Sequence, residues 1–273
     1  MALAVRVLAS GSSANASLIR MNDDVVLLDA GGLSWRTLSK HIRHTGIAPG
    51  DISAILISHL HADHFGPAGK TLSRKYRVPI YTHRENLSLL QPDGMKVLPF
   101  DGEAFTIGST SHVLPFEVPH DAAAVTCGFS LFSGGTKMTV ATDLGCFEPG
   151  MEAPFRNSDI IMLESNHDRQ LLRGCCRLPQ ETKTRIGSSM GHLSNSQAAD
   201  ALVRILDASD RLPSLILLAH LSADRNSPEL ALAAAEAALE KAGYGDVRVE
   251  VAPRNKCSPT FRVDDSGALT LLD

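Results

Sequence analysis

Apolar and polar positions alternate in short runs along the first part of the chain, a pattern that predicts β-strands. We expect strands at 3–9, 16–20, 25–29 and 52–57, with glycine, serine or asparagine in the turns between them. Stretches with an apolar residue every three or four positions predict helices at 34–44 and 66–76. Ser34 is suited to cap the first helix and Gly46 to end it, and Pro79 follows the second.

The rest of the chain divides into a strand-rich middle and a mixed last third. Between 97 and 141, short apolar runs separated by Gly, Ser and Asp predict antiparallel strands. Further on, helices are expected at 196–206 and 228–242, and strands at 215–219 and 247–251. Ser227-Pro228 is a good helix start, because proline suits the first helical position. Since no linker, low-complexity tract or repeat interrupts these elements, we predict one domain over 1–273, with strands inside and helices outside.

Composition adds modest constraints. Hydrophobic residues make up 44% of the 273 residues, enough for a large core, and charged residues make up 21%. The net charge of −4 argues against a protein that coats nucleic acid. It leaves room for a local basic groove, because the charge of the whole chain averages over such patches.

Cysteine usage and the apolar segments bear on the compartment. The five cysteines form no CxxC pair, so free thiols in a reducing compartment are expected. The N-terminal run contains Arg6 and predicts a first strand rather than a signal peptide. No stretch approaches the roughly 18 apolar residues of a membrane span, so the cytoplasm is the expected location.

A dense group of metal-binding side chains follows the predicted strand at 52–57: His59-Leu60-His61-Ala62-Asp63-His64. A pair of divalent ions needs imidazole nitrogens and carboxylates from several chain segments. Residues two apart on an extended stretch point the same way, so His59 and His61 can hold one ion. Asp63 and His64 then turn towards a second ion as the chain enters the next helix. The alternative is a surface turn that contains histidines by chance.

This cluster resembles the HxHxDH signature of the metallo-β-lactamase superfamily. The resemblance implies an α/β (α+β) fold, a four-layer αββα sandwich in which two mixed sheets are flanked by helices and the site lies at one edge of both sheets. It also implies a ligand after each of three later strands, namely His120 in PFEVPHDA, Asp143 in TVATDLG and His220 in LILLAHLS. The first metal would be held by His59, His61 and His120. The second would be held by Asp63, His64 and His220, with Asp143 as the bridge.

Asp29 ends the predicted strand VVLLDAG. In the superfamily an aspartate at this point supports the site by accepting the second N–H of a ligating histidine. The alternative is an aspartate that caps the strand end.

Further motifs resemble the YycJ/WalJ group of this superfamily: LASGSSANASLI, TDLG at 142–145, ESNHD at 164–168, GHLSNSQAA at 191–199 and the later AHLSADRNSP. The group has glycine and a small hydroxyl residue where this chain has Ala14 and Ala16. The resemblance implies a nuclease, a 5′-to-3′ exonuclease on double-stranded DNA with a proposed role in mismatch repair. It also implies a link, through gene neighbourhood, to a cell-wall two-component system.

Glu164 and His192 are similar to a pair in the transfer-RNA 3′-processing endonucleases of the superfamily, where the pair protonates the leaving oxygen. We hypothesise that Glu164 raises the pKa of His192, which then acts as general acid. A structural ion pair or helix cap is the alternative. Asp63 completes the predicted catalytic set. His167, within ESNHD, is a candidate for substrate or metal contact, or a surface histidine.

A basic stretch follows ESNHD, with Glu181 as its single counter-charge: Arg169, Arg173, Arg177, Lys183 and Arg185. Phosphate backbones need such a patch, and Arg169, Arg173 and Arg177 are the predicted substrate contacts. A solvated charged loop is the alternative. Arg254 and Lys256 could extend the patch.

Together these features predict a phosphodiesterase in which two divalent ions clamp the scissile phosphate and His192 protonates the departing sugar oxygen. Mixed His and carboxylate ligands suit Zn, Mn or Fe. The absence of a large inserted cap domain favours a duplex or a DNA end, so DNA is the expected partner over RNA. The oligomeric state stays open, with a dimer possible. The alternatives are a hydrolase of a thioester, lactone or cyclic phosphodiester, an RNA-processing nuclease, and a regulatory protein that keeps its metals structurally.

Overall fold

A computed structural model describes residues 2–90 and 93–272. Its strands, in chain order, are β1 (Ala2–Gly11), β2 (Ala14–Met21), β3 (Asp24–Leu28), β4 (Ala54–Leu56), β5 (Ile80–His83), β6 (Val97–Phe100), β7 (Phe105–Ile107), β8 (Ser111–Val118), β9 (Thr126–Ser133), β10 (Thr136–Ala141), β11 (Ile160–Glu164), β12 (Leu215–Ala219), β13 (Val249–Val251), β14 (Thr260–Asp264) and β15 (Leu269–Leu272).

The helices, in chain order, are α1 (Trp35–His44), α2 (Pro67–Tyr76), α3 (Leu87–Leu90), α4 (Arg169–Gly174), α5 (Gln180–Ile186), α6 (Asn195–Asp207) and α7 (Pro228–Ala242). Short 3-10 turns occur at Pro49–Asp51, Arg84–Asn86 and Ala153–Phe155.

The strands form two mixed sheets. The first has the order β15-β14-β1-β2-β3-β4-β5-β6, and the second has the order β13-β12-β11-β10-β9-β8-β7. In the first sheet β3 to β6 run parallel to one another, and in the second sheet β10 to β13 do so. The remaining neighbours are antiparallel.

Alternation of side chains along the strands generates the four layers. In and just after β4, Ala54 and Leu56 point into the core between the two sheets, whereas Ile55 and Ile57 point to the core beneath α1 and α2. The outer face of the second sheet has its own core, in which β11 and β12 pack against α6 and α7. Period-two burial on both faces is what a sheet sandwiched between another sheet and helices requires. The predicted αββα fold is therefore confirmed.

Most predicted elements lie within a residue or two of the observed ones. The Ser34 cap is confirmed, since its hydroxyl accepts a hydrogen bond from the amide of Thr37, and Gly46 follows the end of α1 with a φ of 76°. The helix predicted at 228–242 matches α7 without change. The helix predicted at 66–76 begins at Pro67, and Gly66 caps it.

Several predictions need correction. The strand at 97–100 pairs in parallel with β5, so 97–141 is not wholly antiparallel. The strand expected at 52–57 is confined to Ala54–Leu56, after a 3-10 turn, and the one at 247–251 begins at Val249. The basic stretch expected as a possible loop contains α4 and α5.

The sheets place one set of strand ends together. β3, β4, β10, β11 and β12 all run towards the same edge, so the residues that follow them meet there. Three residues just beyond such strand ends, Asp29, Asp143 and His220, have φ values of 56–57°. This left-handed conformation is uncommon without glycine, and in a native protein it marks positions that the surrounding structure holds in place.

Among the described helices none is long and apolar enough to cross a membrane. The five cysteines have free thiols, and Cys127 is buried.

Candidate metal centre

The His59–His64 segment connects β4 to α2 as a loop and not as a continued strand. Its turn is closed by the amides of His64 and Phe65, which both donate to the carbonyl of His61 at 2.9 Å. The rings of His59 and His61 lie 4.6 Å apart between centroids, so the two imidazoles adjoin as predicted although the backbone is not extended.

Gly31 allows this loop to lie against the end of β3. A Cβ atom at Gly31 would lie 2.1 Å from the carbonyl carbon of Asp63 and 2.2 Å from the amide nitrogen of His64. The amide of Ala30 also donates to the carbonyl of His64 at 2.7 Å. Glycine is therefore required here because two backbones touch.

The structure brings the predicted ligands from both sheets together. Four groups of ligand atoms each lie within 4.8 Å of one another: His59, His61 and His120; Asp63, His64 and His220; His59, His64 and Asp143; and Asp143, Glu164, His192 and His220. The first two groups are the two sets predicted for the separate metals. Asp143 shares the third group with histidines of both sets, which is the position expected of a bridging carboxylate.

The donor atoms suit divalent metal ions. His59 Nε2, Asp143 Oδ2 and His220 Nε2 are buried and make no hydrogen bond to any described residue, which native proteins rarely tolerate without a ligand. His64 Nε2 lies 2.9 Å from Asp143 Oδ2, yet the pair does not satisfy hydrogen-bond geometry. Atoms that converge in this way without bonding each other are arranged as metal ligands are.

Asp29 and Ser58 fix the orientation of His64. Asp29 Oδ2 lies 2.8 Å from His64 Nδ1, and Asp29 Oδ1 accepts the amide of Ser58 at 2.9 Å. The Ser58 hydroxyl also donates to Asp29 and lies 3.1 Å from His59 Nδ1. Because Nδ1 of His64 is held in this way, Nε2 faces the centre. The supporting position predicted for Asp29 is where the structure places it.

His120 is oriented by the backbone of a distant loop. Its Nδ1 lies 3.0 Å from the carbonyl of Gly191, which leaves Nε2 directed towards His61 and Asp143. Gly191 has no room for a side chain, since a Cβ atom there would lie 2.2 Å from the carbonyl oxygen of Arg185. The segment before α6 therefore positions a donor that follows β8.

Glu164 lies behind the centre and is fully buried. Its Oε1 is 2.9 Å from His192 Nδ1 and 2.7 Å from His220 Nδ1. Its Oε2 accepts the amides of Leu144 and Leu193 at 3.1 and 2.9 Å. The carboxylate thus orients both histidines and joins the loops that follow β10 and precede α6. The expected contact with His192 is present, and the contact with His220 was not foreseen.

In the metal-free cluster, the carboxylates favour the protonated forms of His64 and His220, and these histidines favour the ionised forms of Asp63 and Asp143. Burial disfavours protonation of His220, but Asp143, Asp63 and Glu164 outweigh it and raise the pKa of His220 to about 10. Burial likewise opposes protonation of His64, and the carboxylates of Asp143 and Asp29 raise its pKa well above the usual value. Burial raises the pKa of a carboxyl group, yet the neighbouring histidines hold the pKa values of Asp63 and Asp143 below their ordinary range.

His192 occupies the solvent side of the Glu164 pair. Its side chain is 14% exposed, whereas that of Glu164 is inaccessible. Burial lowers the pKa of His192, but Glu164 and then Asp143 reverse this and the net pKa is raised. With Nδ1 held by Glu164, Nε2 is left to donate to another group. Burial raises the pKa of Glu164, but the neighbouring imidazolium of His192 outweighs burial, and the pKa of Glu164 falls to about 2.

The predicted substrate contacts lie in different environments. His167, Arg169, Arg173 and Lys183 line one cavity of about 430 Å³, here called the His167 cavity. His167 is buried, and burial together with nearby cations lowers its pKa to about 4, so it is neutral at physiological pH. Within the described chain, His167 belongs to none of the groups that could hold a metal, which disfavours the metal contact considered for it.

The rest of the basic stretch separates from this cavity. Arg177 is exposed and does not line it. Arg185 pairs with Asp121 at 3.2 Å, beside His120. Arg254 lies next to Gly11 on another part of the edge and does not extend the patch directly.

Asn15 was not singled out from the sequence. Its Nδ2 lies 2.9 Å from His64 Nε2 and 3.3 Å from Asp63 Oδ2, and its amide donates to the carbonyl of Asp63. The only sequence signal was its place in the SGSSAN motif between two strands. The neighbouring Ala14 does not have a positive φ, so the structure does not require glycine at that position.

Comparison with known proteins identifies the family of this chain. A sequence profile described as "Beta-lactamase superfamily domain" matches residues 24–220. The exodeoxyribonuclease YycJ of Bacillus anthracis is 32% identical over 251 residues, which cover 90% of this chain and 92% of that protein. This chain belongs to the YycJ/WalJ family of the metallo-β-lactamase superfamily. The exodeoxyribonuclease WalJ of Streptococcus pneumoniae is also 32% identical, over 82% of this chain and 84% of that protein.

The fold is shared more widely than the sequence. The metallo-β-lactamase fold protein YhfI of Bacillus subtilis superposes with a TM-score of 0.70 at 17% identity, covering 94% of this chain and 99% of that structure. The predicted family and the predicted enzyme class, a metal-dependent hydrolase, are confirmed.

Proposed function

We propose that the protein is a two-metal nuclease, a 5′-to-3′ exonuclease on double-stranded DNA that acts in mismatch repair in the cytoplasm. The observation that supports this most is the combination of two facts. Relatives named exodeoxyribonucleases align over most of this chain, and the chain keeps both the donor groups and the Glu164–His192 pair at one edge.

The proposed ligands of the first ion are His59, His61 and His120, those of the second are Asp63, His64 and His220, and Asp143 would join both. Divalent ions bound there would supply activation of water and neutralisation of the charge that builds on the phosphate. The mixed imidazole and carboxylate donors suit Zn, Mn or Fe. Elemental analysis of protein purified without added metal identifies the ion and its number.

The residues around the donors would control proton transfer. His192 is the proposed general acid: Glu164 holds its Nδ1 at 2.9 Å, and its partly exposed ring can donate from Nε2 to the departing sugar oxygen. Glu164 touches no solvent, so it acts through His192 and His220 as a positioning residue. Asp63, whose side chain is 24% exposed, lies on the open side of the centre.

Substrate contacts are proposed at the His167 cavity. Arg169 and Arg173 supply cations there, and no acidic residue of the described chain lines the cavity. Both side chains are exposed, as contacts to a phosphate backbone require. Arg177 would contact DNA only outside the cavity.

The decisive experiment compares end-labelled duplex DNA, single-stranded DNA and RNA during titration with Zn, Mn or Fe. We expect shortening from the 5′ end of the duplex and little cleavage of RNA. Asp143→Ala should lose metal and cleavage together, with Asp51→Ala, an exposed aspartate outside the centre, as the control. Full cleavage by Asp143→Ala contradicts the proposal. Hydrolysis of a thioester, lactone or cyclic phosphodiester without any action on nucleic acid would replace it.

A further inference from the structure

A second cavity, of about 620 Å³, lies beside the metal centre and away from the basic stretch; it is here called the Arg254 cavity. Three chain segments form it: the residues after His220, the start of α7, and the segment after β13. Its cations are Arg254 and Lys256, and within 2–90 and 93–272 no acidic residue lines it. Leu221, Pro228 and Val251 give it an apolar wall.

Two donors in this cavity lack acceptors in the described chain. Ser222 is 1% exposed, and its hydroxyl makes no hydrogen bond. Nη1 of Arg254 is buried and also makes none. A buried polar group without a partner costs free energy, so two of them at one cavity indicate a missing acceptor. Among the described residues no carboxylate forms an ion pair with Arg254, so its charge is available to an external anion.

The backbone ties the Arg254 cavity to the centre. The amide of Ser10 donates to the carbonyl of Pro253 at 3.0 Å, and the Ser10 hydroxyl accepts the amide of His220 at 2.9 Å. A Cβ atom at Gly11 would lie 3.1 Å from Cγ of Arg254, so the arginine stem packs on the turn between β1 and β2. The stem of Arg254 therefore packs on the turn that precedes Asn15, the residue whose side chain contacts His64.

We propose that the Arg254 cavity binds a phosphate of the substrate strand that flanks the scissile phosphate, with the attached nucleoside against its apolar wall. This rests on the nuclease function proposed above. A phosphate can accept hydrogen bonds from a guanidinium, an ammonium and a hydroxyl group together. The guanidinium binds a phosphate in a bidentate way, through two parallel hydrogen bonds. The volume lies within the range of about 300–1,000 Å³ usual for small-ligand sites, which suits one nucleotide.

Binding to metal-loaded protein tests the proposal. The probe is a fluorescently labelled duplex with phosphorothioate linkages that resist cleavage, titrated at several salt concentrations. Arg254→Gln should weaken binding about tenfold, the loss expected for one charge-assisted hydrogen bond. The slope of log affinity against log salt should become less steep by about 0.9 for each phosphate that the variant no longer neutralises. Lys256→Gln should act in the same direction.

Ser222→Ala guards against an effect of misfolding. It removes a hydroxyl that has no partner in the described chain, so the fold should not weaken, while duplex affinity should fall. Arg36→Gln, an exposed cation on α1, is the matched control and should leave the affinity and the salt slope unchanged.

The outcomes separate the two proposals. If wild-type protein cleaves DNA but the three variants bind the duplex as wild type does, the cavity proposal is overturned and the nuclease function stands. If wild-type protein neither cleaves nor binds nucleic acid, the proposed function fails first. Inorganic phosphate should compete with the duplex in wild type and less in Arg254→Gln. Loss of phosphate binding in the variant with unchanged duplex affinity would identify a free-anion site and reject the proposal.

Discussion

At the scale of single residues, one carboxylate oxygen of Glu164 serves two imidazoles. Oε1 lies within 3 Å of Nδ1 in both His192 and His220, while Oε2 accepts backbone amides. His192 faces solvent and His220 faces the metal donors. A proposed proton donor and a proposed metal ligand are therefore oriented by the same buried charge.

His192→Ala separates these roles. We expect kcat to fall about 10²–10⁴-fold, the usual contribution of a general acid, while metal content stays unchanged because His192 is outside the proposed ligand set. In wild type, activity should decline as pH rises through the pKa of His192, which Glu164 raises above its ordinary value, because the acid must be protonated. The variant should lack this alkaline decline.

Steady-state rates across pH, with metal analysis of each sample, check this. His112→Ala, an exposed histidine on β8, is the control and should keep the wild-type profile. A His192→Ala enzyme with the same alkaline decline as wild type would rule out His192 as its source.

Asp29→Asn tests the support of a ligand. The amide cannot accept from His64 Nδ1 as strongly as the carboxylate does at 2.8 Å, so His64 should be less basic and less well oriented. We expect metal affinity to fall about 10–100-fold. Competition with a metal-binding dye measures this, with Asp51→Asn as the control. An unchanged affinity would mean that Asp29 serves only to cap the strand end.

At this scale, a site residue could be predicted from the sequence alone when the other site residues lie close to it along the chain. The cluster from His59 to His64 is dense in donors, so the sequence alone identifies it. His120, Asp143 and His220 needed the family resemblance, because nothing local separates them from ordinary histidines or aspartates. Asn15, Ser58 and the second contact of Glu164 were missed because their partners are supplied by tertiary packing.

At the scale of elements, the spacing of apolar residues predicted the helices and strands whose apolar faces are buried. α7 and the strand at 215–219 were predicted with their observed bounds because one face of the helix and both faces of the strand are buried. α4 and α5 were missed because they are short and polar and each has a single buried side chain. The parallel pairing of β6 was missed because β5, its partner, was not predicted. Strand direction is a property of the pair, which a single run of residues does not encode.

Ser194 caps the helix α6, which begins shortly after the site residue His192. Its hydroxyl accepts the amide of Gln197 and its own amide donates to Gln197 Oε1, a capping box that starts α6 two residues after His192. Ser194→Ala should lower the free energy of unfolding by about 1 kcal/mol. Urea denaturation measures this, with Asp200→Ala, an exposed position within α6, expected to be neutral or slightly stabilising. Equal stability of Ser194→Ala and wild type would show that the cap is dispensable.

At the scale of the whole molecule, the donors join the two sheets. The histidines after β4 belong to the first sheet, whereas His120, Asp143 and His220 follow strands of the second. An ion bound to both sets would therefore connect two layers that otherwise meet through apolar side chains. Metal binding that requires the folded arrangement must add to stability by mass action.

Removal of metal should for this reason have an effect that depends on pH. In metal-free protein His64 and His220 have pKa values above the unfolded value of 6.5, that of His220 reaching about 10. Their protonation stabilises the folded state fully below 6.5, and this is lost as pH rises towards 10. Metal binding must displace the same protons, so metal affinity should rise over that range. Asp63 and Asp143, with lowered pKa values, are ionised throughout this range and so do not change the pH dependence.

The difference in Tm between metal-loaded and chelated protein should then widen as pH increases from about 6.5. Calorimetry of the two forms over this range measures it, and Asp143→Ala, which should bind no metal, should show no difference at any pH. A gap that narrows with rising pH would mean that these two histidines do not hold the displaced protons.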